Sequence, residues 1–578
     1  MSGKVVAHRG GGWIALLLFL LFVAASPRAL ADNADPCPRP QAGTEAKRPP
    51  DLYSQNGVLK LHFDYYTTLD KLGRTLFCFV SRNKLESPTL HVNPGDAIDL
   101  TVTNHVPPAG GNAAELVSSP SNVCGDAVMT VSSVNIHFHG TNTTPHCHGD
   151  EVVHTLINSG QTFRYRLTIP KDEPPGLYWY HPHVHGISEA AVEGGATGAI
   201  EVEGIANLQH AVAGLPERYL IIRDQHVGHP PKGKVTIRVP SWDISLNYVP
   251  VSFPKYVPAV IKMRTGAQEF WRVLNSSADT TIDLQLNYDG VAQPLEIVAL
   301  DGVPTGSEDG KHQGTIITQT DILIPPAGRA EFIVTGPGAS VQKAVLVTER
   351  IDTGPLGDSD PERPLAVIRH TTDGKDIPPR IFPVAASIGG ERFTGLDDSM
   401  VTARRHLYFS ETETEAADAG GIRKPGGAGN FTFFITVKGQ TQVPYYPGEP
   451  PAIITHRGAV EDWTIENQAK EIHMFHIHQI HFQLLAVNGV PVPPAQRQWY
   501  DTHEVGYWTG SGPYPSIKVR MDFRGAVTGE FVYHCHILGH EDNGMMANIL
   551  VLDKPVIHAG ARRNAAIRVG SRGEARHA

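Results

Sequence analysis

The chain has 578 residues, with 49 basic and 59 acidic side chains and a formal net charge of −10. This length suggests roughly three or four domains and is ample for sizeable apolar cores. The negative charge, without a long basic run in the body of the chain, argues against nucleic acid as a main partner, and the 41% hydrophobic fraction excludes a wholly disordered chain.

The N-terminal segment predicts export. Lys4 and Arg9 precede an apolar run at residues 13–25, and the small-residue pattern at residues 29–31 is typical of a cleavage site. The run is shorter than the roughly 18 residues needed to span a bilayer. We therefore predict a cleaved signal peptide at residues 1–31, a secreted or periplasmic protein and no membrane span after cleavage. An uncleaved anchor is the alternative.

Most of the chain after the signal predicts β-strands. Polar and apolar residues alternate with period two in segments such as 97–102, 163–169 and 460–465, and Gly and Pro interrupt the chain at short intervals. Long helical periodicity is not found outside the signal peptide. The sequence therefore predicts an all-β protein built of sandwiches or barrels.

A weak internal repeat predicts three homologous domains. A glycine-containing turn followed by a strand recurs, and the three strands end at Asn104, Asn275 and Asn467, at spacings of about 170 and 190 residues. The predicted organisation is a signal peptide at residues 1–31, domains at 32–205, 206–380 and 381–556, and a disordered basic tail at 557–578.

The five cysteines fall into two groups. In an oxidising compartment Cys37, Cys78, Cys124 and Cys147 can form two disulfides, for which three pairings exist. A bridge between Cys124 and Cys147 is attractive because it would span the first group of histidines. Cys535 lies almost 400 residues further on, between two histidines, and we predict that it is a metal thiolate.

The histidines are concentrated. Of the 29 histidines, 15 lie in four short windows at residues 137–154, 181–185, 473–481 and 534–540. The first three windows each contain a His-x-His pair that is expected on a strand, where residues i and i+2 point to one face about 7 Å apart. These pairs are His137 with His139, His181 with His183, and His476 with His478. His473 is an odd step away, so one strand is expected to serve two metal sites on opposite faces.

The fourth window is the most specific. Cys535 faces one way on its strand and its two histidine neighbours face the other, while His540 and Met545 follow five and ten residues later. One thiolate, two imidazoles and a weak thioether form a blue-copper electron-transfer site, for which His473 supplies the second imidazole. Eight imidazoles remain, the number needed to hold three copper ions as two, three and three ligands.

These motifs, in this order, resemble those of the three-domain multicopper oxidases, a laccase-like family with cupredoxin domains. The resemblance covers roughly residues 50–555 and all four motifs, and it implies three cupredoxin-like Greek-key domains. It also implies four copper ions per chain: one type 1, one type 2 and two type 3. By the family pattern His473, Cys535 and His540 bind type 1 copper, with Met545 axial. His137 and His476 bind type 2 copper. The type 3 pair is bound by His139, His181, His183, His478, His534 and His536.

The family further implies that the copper cluster lies between the first and third domains, with the second domain as a spacer, and that O2 is reduced to water there. This reduction consumes four protons, so a carboxylate near the cluster would serve as a proton relay. Asp150 and Glu541 resemble the acidic positions that have this role in the family. Either carboxylate could instead only balance charge.

The same histidines also allow less specific interpretations. Histidine-rich strands can be structural or can bind zinc or copper without turnover. A scaffold would have no reason to keep a complete ligand set, and a copper store would instead need many Met or Cys residues, whereas the chain has 8 and 5. Five histidines beside the motifs are expected not to be ligands: His146, His148, His154, His185 and His481.

The sequence therefore predicts an exported, monomeric copper oxidase that takes single electrons at the type 1 site and passes them to O2. Phenols and aromatic amines are the default substrates by family analogy, since an exposed edge of His473 would accept many electron donors. The alternative is a metal oxidase acting on Fe(II), Mn(II) or Cu(I), and the scarcity of Met disfavours Cu(I). A non-enzymatic copper-binding periplasmic protein is the third possibility.

Overall fold

A computed structural model describes residues 35–108, 123–125, 127–227, 239–306, 314–371, 392–393, 395–413 and 431–553. The predicted signal peptide, the predicted basic tail and the predicted boundary near residue 380 lie outside the described residues. Within the described ranges, no helix has the length and apolar character needed to cross a membrane.

The first region spans the strands from residue 51 to residue 202, which form two sheets. The four-stranded sheet has the order β3-β2-β5-β7, and the five-stranded sheet has the order β1-β4-β9-β8-β6. The strands are β1 Asp51–Tyr53, β2 Val58–Leu69, β3 Thr75–Ser81, β4 Thr89–Val92, β5 Ala97–Asn104, β6 His137–His139, β7 Thr162–Thr168, β8 Gly176–His181 and β9 Gly198–Val202. Helices α1 Ser188–Glu193 and α2 Ile205–Leu208 flank β9.

The middle region spans the strands from residue 217 to residue 371, again in two sheets. One has the order β12-β11-β10-β14-β21-β17-β18, and β19 also pairs with β17. The other has the order β13-β23-β22-β15-β16, and β20 also pairs with β15. The strands are β10 Glu217–His226, β11 Trp242–Leu246, β12 Val249–Val251, β13 Ala259–Arg264, β14 Gln268–Asn275, β15 Ile282–Tyr288, β16 Val291–Ala292, β17 Leu295–Leu300, β18 Val303–Pro304, β19 Ile317–Gln319, β20 Asp321–Ile324, β21 Arg329–Thr335, β22 Ala344–Thr348 and β23 Arg363–Thr371.

The third region spans the strands from residue 403 to residue 552. Its sheets have the orders β25-β24-β27-β33-β29-β30, with β31 also paired to β29, and β26-β35-β34-β28-β32. The strands are β24 Ala403–Glu413, β25 Phe431–Val437, β26 Ile453–His456, β27 Val460–Asn467, β28 His473–Ile477, β29 Phe482–Val487, β30 Val490–Pro491, β31 Trp499–Tyr500, β32 Thr502–Val505, β33 Ser516–Asp522, β34 Gly529–Cys535 and β35 Met546–Leu552. Helix α3 Leu538–Asp542 lies between the last two strands.

Each region has one main apolar core between its two sheets. In the first region Phe63 of β2 and Tyr178 of β8 belong to the same core, although their strands lie in different sheets. The alternation predicted near residue 163 is observed, since the side chains of β7 are exposed and buried in strict turn. The all-β prediction is confirmed. The alternation of polar and apolar residues arises because one face of each sheet is buried in the core.

The three repeated asparagines have the same role in each region. Asn104, Asn275 and Asn467 end β5, β14 and β27, and each is fully buried. Each side-chain amide donates to two backbone carbonyls, and each side-chain oxygen accepts from the backbone N–H two residues later. Such an amide satisfies buried backbone groups where the chain leaves the sheet. The repeat thus has a physical basis, while the domain boundaries stay predictions.

The four cysteines of the first region form two disulfides, Cys37–Cys78 and Cys124–Cys147. Of the three pairings that the sequence allows, this one includes the bridge across the first group of histidines. Cys535 is a free, buried cysteine.

Candidate metal centre

The first-region histidines lie at one edge of the five-stranded sheet. β6 is the edge strand, and it places His137 and His139 on one face because they are two residues apart. Antiparallel pairing sets His181 of β8 directly opposite His137, and His183 follows two residues later. All four side chains are buried.

The third-region histidines lie on two adjacent strands. In the register of β28 and β34, His476 is paired with His534 and Phe475 with Cys535. His476 and His534 therefore share one face of this sheet. His473 is an odd number of residues from His476, and it contacts Cys535 at the second site described below.

The two groups of histidines meet face to face. The ring of His137 stacks on that of His478 at a centroid distance of 3.7 Å, and the ring of His139 stacks on that of His476 at 4.0 Å. We call the resulting set of eight buried side chains the histidine cluster. Its members are His137, His139, His181, His183, His476, His478, His534 and His536.

Within the histidine cluster the ring nitrogens converge in groups of three. His139, His181 and His536 form one such group, and His183, His478 and His534 form another. In the second group the Nε2 atoms of His183 and His534 lie 3.2 Å apart, and the Nε2 atom of His478 lies 3.1 and 3.2 Å from them. Three ligands about 2.0–2.1 Å from one metal ion have nitrogens at comparable separations. A third group combines His137, His139 and His476.

The hydrogen bonds on the opposite sides of the rings indicate which nitrogen is available for a metal. Nδ1 of His181 donates to the carbonyl of Pro182 (2.8 Å), and Nδ1 of His534 donates to the carbonyl of Cys535 (2.9 Å). Nδ1 of His137 lies 3.0 Å from both carboxylate oxygens of Asp150. Such partners fix the tautomer and leave Nε2 as the ligand atom.

The remaining buried nitrogens support the same assignment. Nε2 of His137, His181 and His476 and Nδ1 of His139 have no hydrogen-bond partner among the described residues. Burial holds the pKa of these histidines below the ordinary value, so the rings are neutral and able to donate a lone pair. Buried nitrogens without hydrogen-bond partners are costly unless a metal ion completes them. The histidine cluster therefore fits several metal ions.

A second site lies around Cys535, and we call it the cysteine site. Nδ1 of His473 and Nδ1 of His540 are 3.1 Å apart, and the Cys535 sulfur lies 3.6 and 3.8 Å from them. The sulfur also accepts a hydrogen bond from the backbone N–H of Met474 at 3.3 Å. Burial raises the pKa of the thiol, so a cation is needed to stabilise the thiolate.

Met545 belongs to the same part of the core. Its side chain is fully buried, its carbonyl accepts from the backbone N–H of Cys535 and its own N–H donates to the carbonyl of His540, both at 3.0 Å. One thiolate, two imidazoles and an adjacent thioether are the donor set of a blue-copper site. The cysteine site thus fits copper.

The cysteine-site histidine that retains exposed surface is not the one that the sequence predicts. His473 is fully buried, and its ring lies 5.0 Å from that of Phe409, which covers it. His540 instead retains 8% of its surface, and its Nε2 atom lies 3.4 Å from a carboxylate oxygen of Glu471. The predicted exposed edge of His473 is wrong, because the third-region core packs over that ring.

The two predicted relay carboxylates lie beside the histidine cluster. Besides its contact with His137, the Asp150 carboxylate accepts from the backbone N–H of Phe138 (2.9 Å) and from the side chain of Gln479 (2.6 Å). Burial raises the pKa of Asp150 to about 8. Glu541 is fully buried on α3, with one oxygen 3.9 Å from Nδ1 of His183.

The five additional histidines have other surroundings. His148 is exposed and stacks on Phe163, while the edge of the His185 ring contacts Tyr445. His481 is buried beside the histidine cluster, and its Nε2 atom lies 3.0 Å from the carbonyl oxygen of Asp301. His146 and His154 are exposed.

Sequence reasoning missed three functional neighbours. Asp501 contacts two histidines of the cluster, Arg329 of the middle region contacts Asp501, and Glu471 contacts His540. Arg329 lies 172 residues from Asp501 in the sequence, and Glu471 lies 69 residues from His540 (540 − 471). No local sequence pattern marks these contacts. Only the folded chain reveals them.

The fold and the two sets of candidate ligand atoms fit a copper-binding oxidoreductase built of cupredoxin-like domains. Two family models, each described as multicopper oxidase, match residues 129–206 and 424–555. Over both segments the chain is similar to the multicopper oxidases, which are copper-dependent oxidoreductases that use O2 as acceptor and take electrons from a reducing substrate.

Individual relatives agree with this assignment. "Multicopper oxidase LPR1 homolog 1" of Oryza sativa subsp. japonica is 24% identical over 524 residues, which are 79% of this chain and 78% of the relative. A laccase of Haloferax volcanii is 22% identical over 444 residues, 73% of this chain and 67% of the relative. The structure of a Campylobacter jejuni multicopper oxidase described as a metallo-oxidase has a TM-score of 0.60 and 21% identity, covering 89% of this chain and 96% of that chain.

Proposed function

We propose that the cysteine site binds one copper ion, that the histidine cluster binds three, and that the protein couples four one-electron oxidations to the reduction of O2 to water. The observation that supports this most strongly is the set of converging, otherwise unsatisfied ring nitrogens. In this assignment His473, Cys535 and His540 bind type 1 copper, with Met545 axial. His137 and His476 bind type 2 copper. The type 3 ligands are His139, His181, His183, His478, His534 and His536.

Copper supplies the one-electron chemistry that joins single-electron donors to a four-electron acceptor. The chain supplies the connection between the two sites, because Cys535 is joined through its own backbone to His534 and His536. It also excludes water, since all ligands of the histidine cluster are buried. The backbone N–H of Met474, donated to the Cys535 sulfur, stabilises the thiolate form.

We propose that Asp150 and Glu541 deliver protons to the reaction at the histidine cluster. Asp150 touches the ring of His137, and Glu541 lies beside the ring of His183, so each carboxyl is at a different side of the cluster. The hydrogen bond from Gln479 holds the Asp150 carboxyl in place. Asp150 also positions His137 through the contact with its Nδ1 atom.

The electron donor that we propose first is a phenol or aromatic amine, as in laccases. A slightly exposed His540 edge permits electron transfer from many small molecules without a shaped pocket. The thioether of Met545, as a weak axial ligand, is consistent with easily oxidised donors. In the same proposal the protein is exported, to the periplasm or outside the cell, and acts as a monomer.

A metal ion is the second candidate donor, and one specific observation favours it. The Glu471 carboxylate lies 3.4 Å from Nε2 of His540, which of the two cysteine-site histidines is the one that retains some exposed surface. Burial and a hydrogen bond to Glu411 raise the pKa of Glu471 to about 10. Two carboxyl groups this close would be stabilised by a divalent cation such as Fe(II) or Mn(II). The Campylobacter jejuni metallo-oxidase has the same fold.

Oxygen uptake by the copper-loaded protein tests the proposal and ranks the donors. We expect one O2 consumed for every four electrons from a simple phenol or from Fe(II), without release of peroxide. Saturation kinetics with each donor then identify the better substrate by its kcat/KM. Absence of O2 uptake with both donors, in protein that contains copper, would contradict the enzymatic assignment and favour a non-enzymatic copper-binding protein.

A further inference from the structure

Asp501 contacts the histidine cluster in two ways. Its side-chain oxygen Oδ1 lies 3.1 Å from Nε2 of His139, and its backbone carbonyl accepts from Nδ1 of His476 at 2.8 Å. His139 comes from the first region and His476 from the third. One residue therefore orients two rings that stack on each other from opposite sides of the cluster.

The contact with His139 selects an unusual ligand atom. His137, His181, His476 and His534 all direct Nδ1 towards an oxygen acceptor and keep Nε2 for the metal. His139 does the reverse, since Nε2 faces Asp501 and the buried Nδ1 has no partner among the described residues. A carboxylate that accepts from one ring nitrogen fixes the tautomer and leaves the other nitrogen for the metal.

Asp501 is in turn held by the middle region. The Arg329 guanidinium, at the start of β21, donates to both carboxylate oxygens of Asp501, at 2.8 and 2.5 Å. The Asp301 carboxylate accepts from the backbone N–H groups of Arg329, Asp501 and Thr502. Both side chains of the Arg329–Asp501 pair are fully buried, and this bidentate geometry allows little movement.

The charge of the pair is also matched. The bidentate contact with the Arg329 guanidinium makes Asp501 an anionic acceptor for the ring of His139. Space around the pair is minimal, since a Cβ atom on Gly140 would lie 2.6 Å from Arg329 and 2.7 Å from Asp501.

We propose that Arg329 and Asp501 are positioning residues for the histidine cluster: through this pair the middle region fixes His139 with Nδ1 as its ligand atom. The middle region is thereby more than a spacer, because this pair orients histidine rings that come from the first and third regions. This inference rests on the proposed copper ligands.

The test uses Arg329→Lys, which keeps the positive charge but loses the bidentate hydrogen bonds of the guanidinium. It also uses Asp501→Asn, which keeps the side-chain shape but removes the negative charge. Each variant of the full chain is loaded with copper, and three quantities are measured: copper per chain, the blue absorption of the cysteine site and the electron paramagnetic resonance signals of the remaining copper. We expect at least one copper ion fewer per chain and altered cluster signals, with the blue absorption per chain unchanged.

Arg272→Lys is the matched control. Arg272 is also a buried middle-region arginine. It pairs with Glu331 on the neighbouring strand β21 and with Glu201 on β9 of the first region, and among the described residues neither glutamate contacts a histidine of the cluster. We expect this variant to keep its copper content and cluster signals. The melting temperatures of the three copper-free variants show whether lost stability alone explains a difference.

The following results would overturn the inference or the proposed function on which it rests. Cluster signals and copper content equal to those of the wild type in Arg329→Lys and Asp501→Asn overturn the inference. Loss of the blue absorption in proportion to the cluster signals, or the same losses in Arg272→Lys, also overturns it, because the pair would then act only on overall stability. A wild-type protein without blue absorption or cluster signals would instead show that the proposed function itself is wrong.

Discussion

The cysteine site draws all of its side chains from residues 473–545, whereas the histidine cluster joins β6 and β8 of the first region to β28 and β34 of the third. In the cysteine site the short connection that contains helix α3 sets the spacing of Cys535, His540 and Met545. In the histidine cluster, ligands as far apart as His183 and His534, 351 residues, must meet within 3.2 Å. A site of the second kind depends on long-range packing, and it is more easily lost by a change far from its ligands.

Loss of a cluster ligand should have the largest effect, because it should impair the histidine cluster and leave the cysteine site intact. His478→Ala removes one of three converging Nε2 atoms, so we expect O2 uptake to fall by about a hundredfold or more, since even changes beside metal ligands cost about 10–100-fold. The blue absorption of the cysteine site should remain. Steady-state O2 uptake and the absorption spectrum measure both effects. His148→Ala, at an exposed position, is the control, and a simultaneous loss of the blue absorption in His478→Ala would show that the sites are not independent.

A smaller effect is expected for the proposed proton donor. Asp150→Asn keeps the shape and the contact with His137 but removes the carboxyl, so reoxidation by O2 should slow by roughly 10²-fold, a typical contribution of general acid catalysis. Reduction of the cysteine site by the donor should not change. Stopped-flow measurements of reduction and reoxidation distinguish the steps. If reoxidation keeps both its rate and its pH dependence, the relay role of Asp150 is wrong.

The next prediction concerns the exposed edge of the cysteine site. Glu471→Gln removes a carboxylate beside His540, so KM for Fe(II) should rise by about tenfold, equivalent to roughly 1.4 kcal/mol of binding, while KM for a phenol stays constant. Glu466→Gln, on a strand of the same region, is a control for general charge effects. Equal changes for Fe(II) and phenol would argue against a cation-binding role of Glu471.

The smallest effect is a pH-dependent change of stability at a site without copper. Burial alone would lower the pKa of His91, but the hydrogen bonds that its ring donates to the carboxylates of Asp51, Glu201 and Glu203 raise it to about 11. The protonated ring therefore stabilises the fold fully below its unfolded pKa of about 6.5, and this contribution declines as the pH rises towards 11. His91→Asn should lower the free energy of unfolding by about 1–3 kcal/mol near pH 6 and by less at pH 9. Denaturant titrations at both pH values measure it, and a difference that grows with pH has the wrong sign.

Much of the cysteine site could be predicted from sequence, because strand parity and short spacings determine which side chains share a face. Alternation along the strand alone predicts that Cys535 faces away from its two histidine neighbours. It also predicts that His473 faces away from the His476 and His478 pair. The fold class was equally accessible from period-two alternation and from the repeated asparagines. The exposed ring edge was predicted for His473 but belongs to His540, because the packing of Phe409 is a tertiary property.

The support of the histidine cluster could not be predicted in the same way. Arg329 lies at the start of a strand in a region that supplies none of the proposed metal ligands, and its proposed role follows only from its contact with Asp501 across 172 residues. No periodicity or motif records such a contact. The same holds for the disulfide pairing, for which the sequence left three alternatives and the folded chain shows Cys37–Cys78 with Cys124–Cys147.

The most direct test of the central claim is a copper count with an absorption spectrum, made on the wild type and on Cys535→Ser. If one copper ion belongs to the cysteine site and three to the histidine cluster, the wild type is blue with four copper ions per chain. The variant is then colourless and retains three. A wild-type protein that is colourless with one copper ion or none, or a variant that remains blue, would contradict the division of the metal between these two sites.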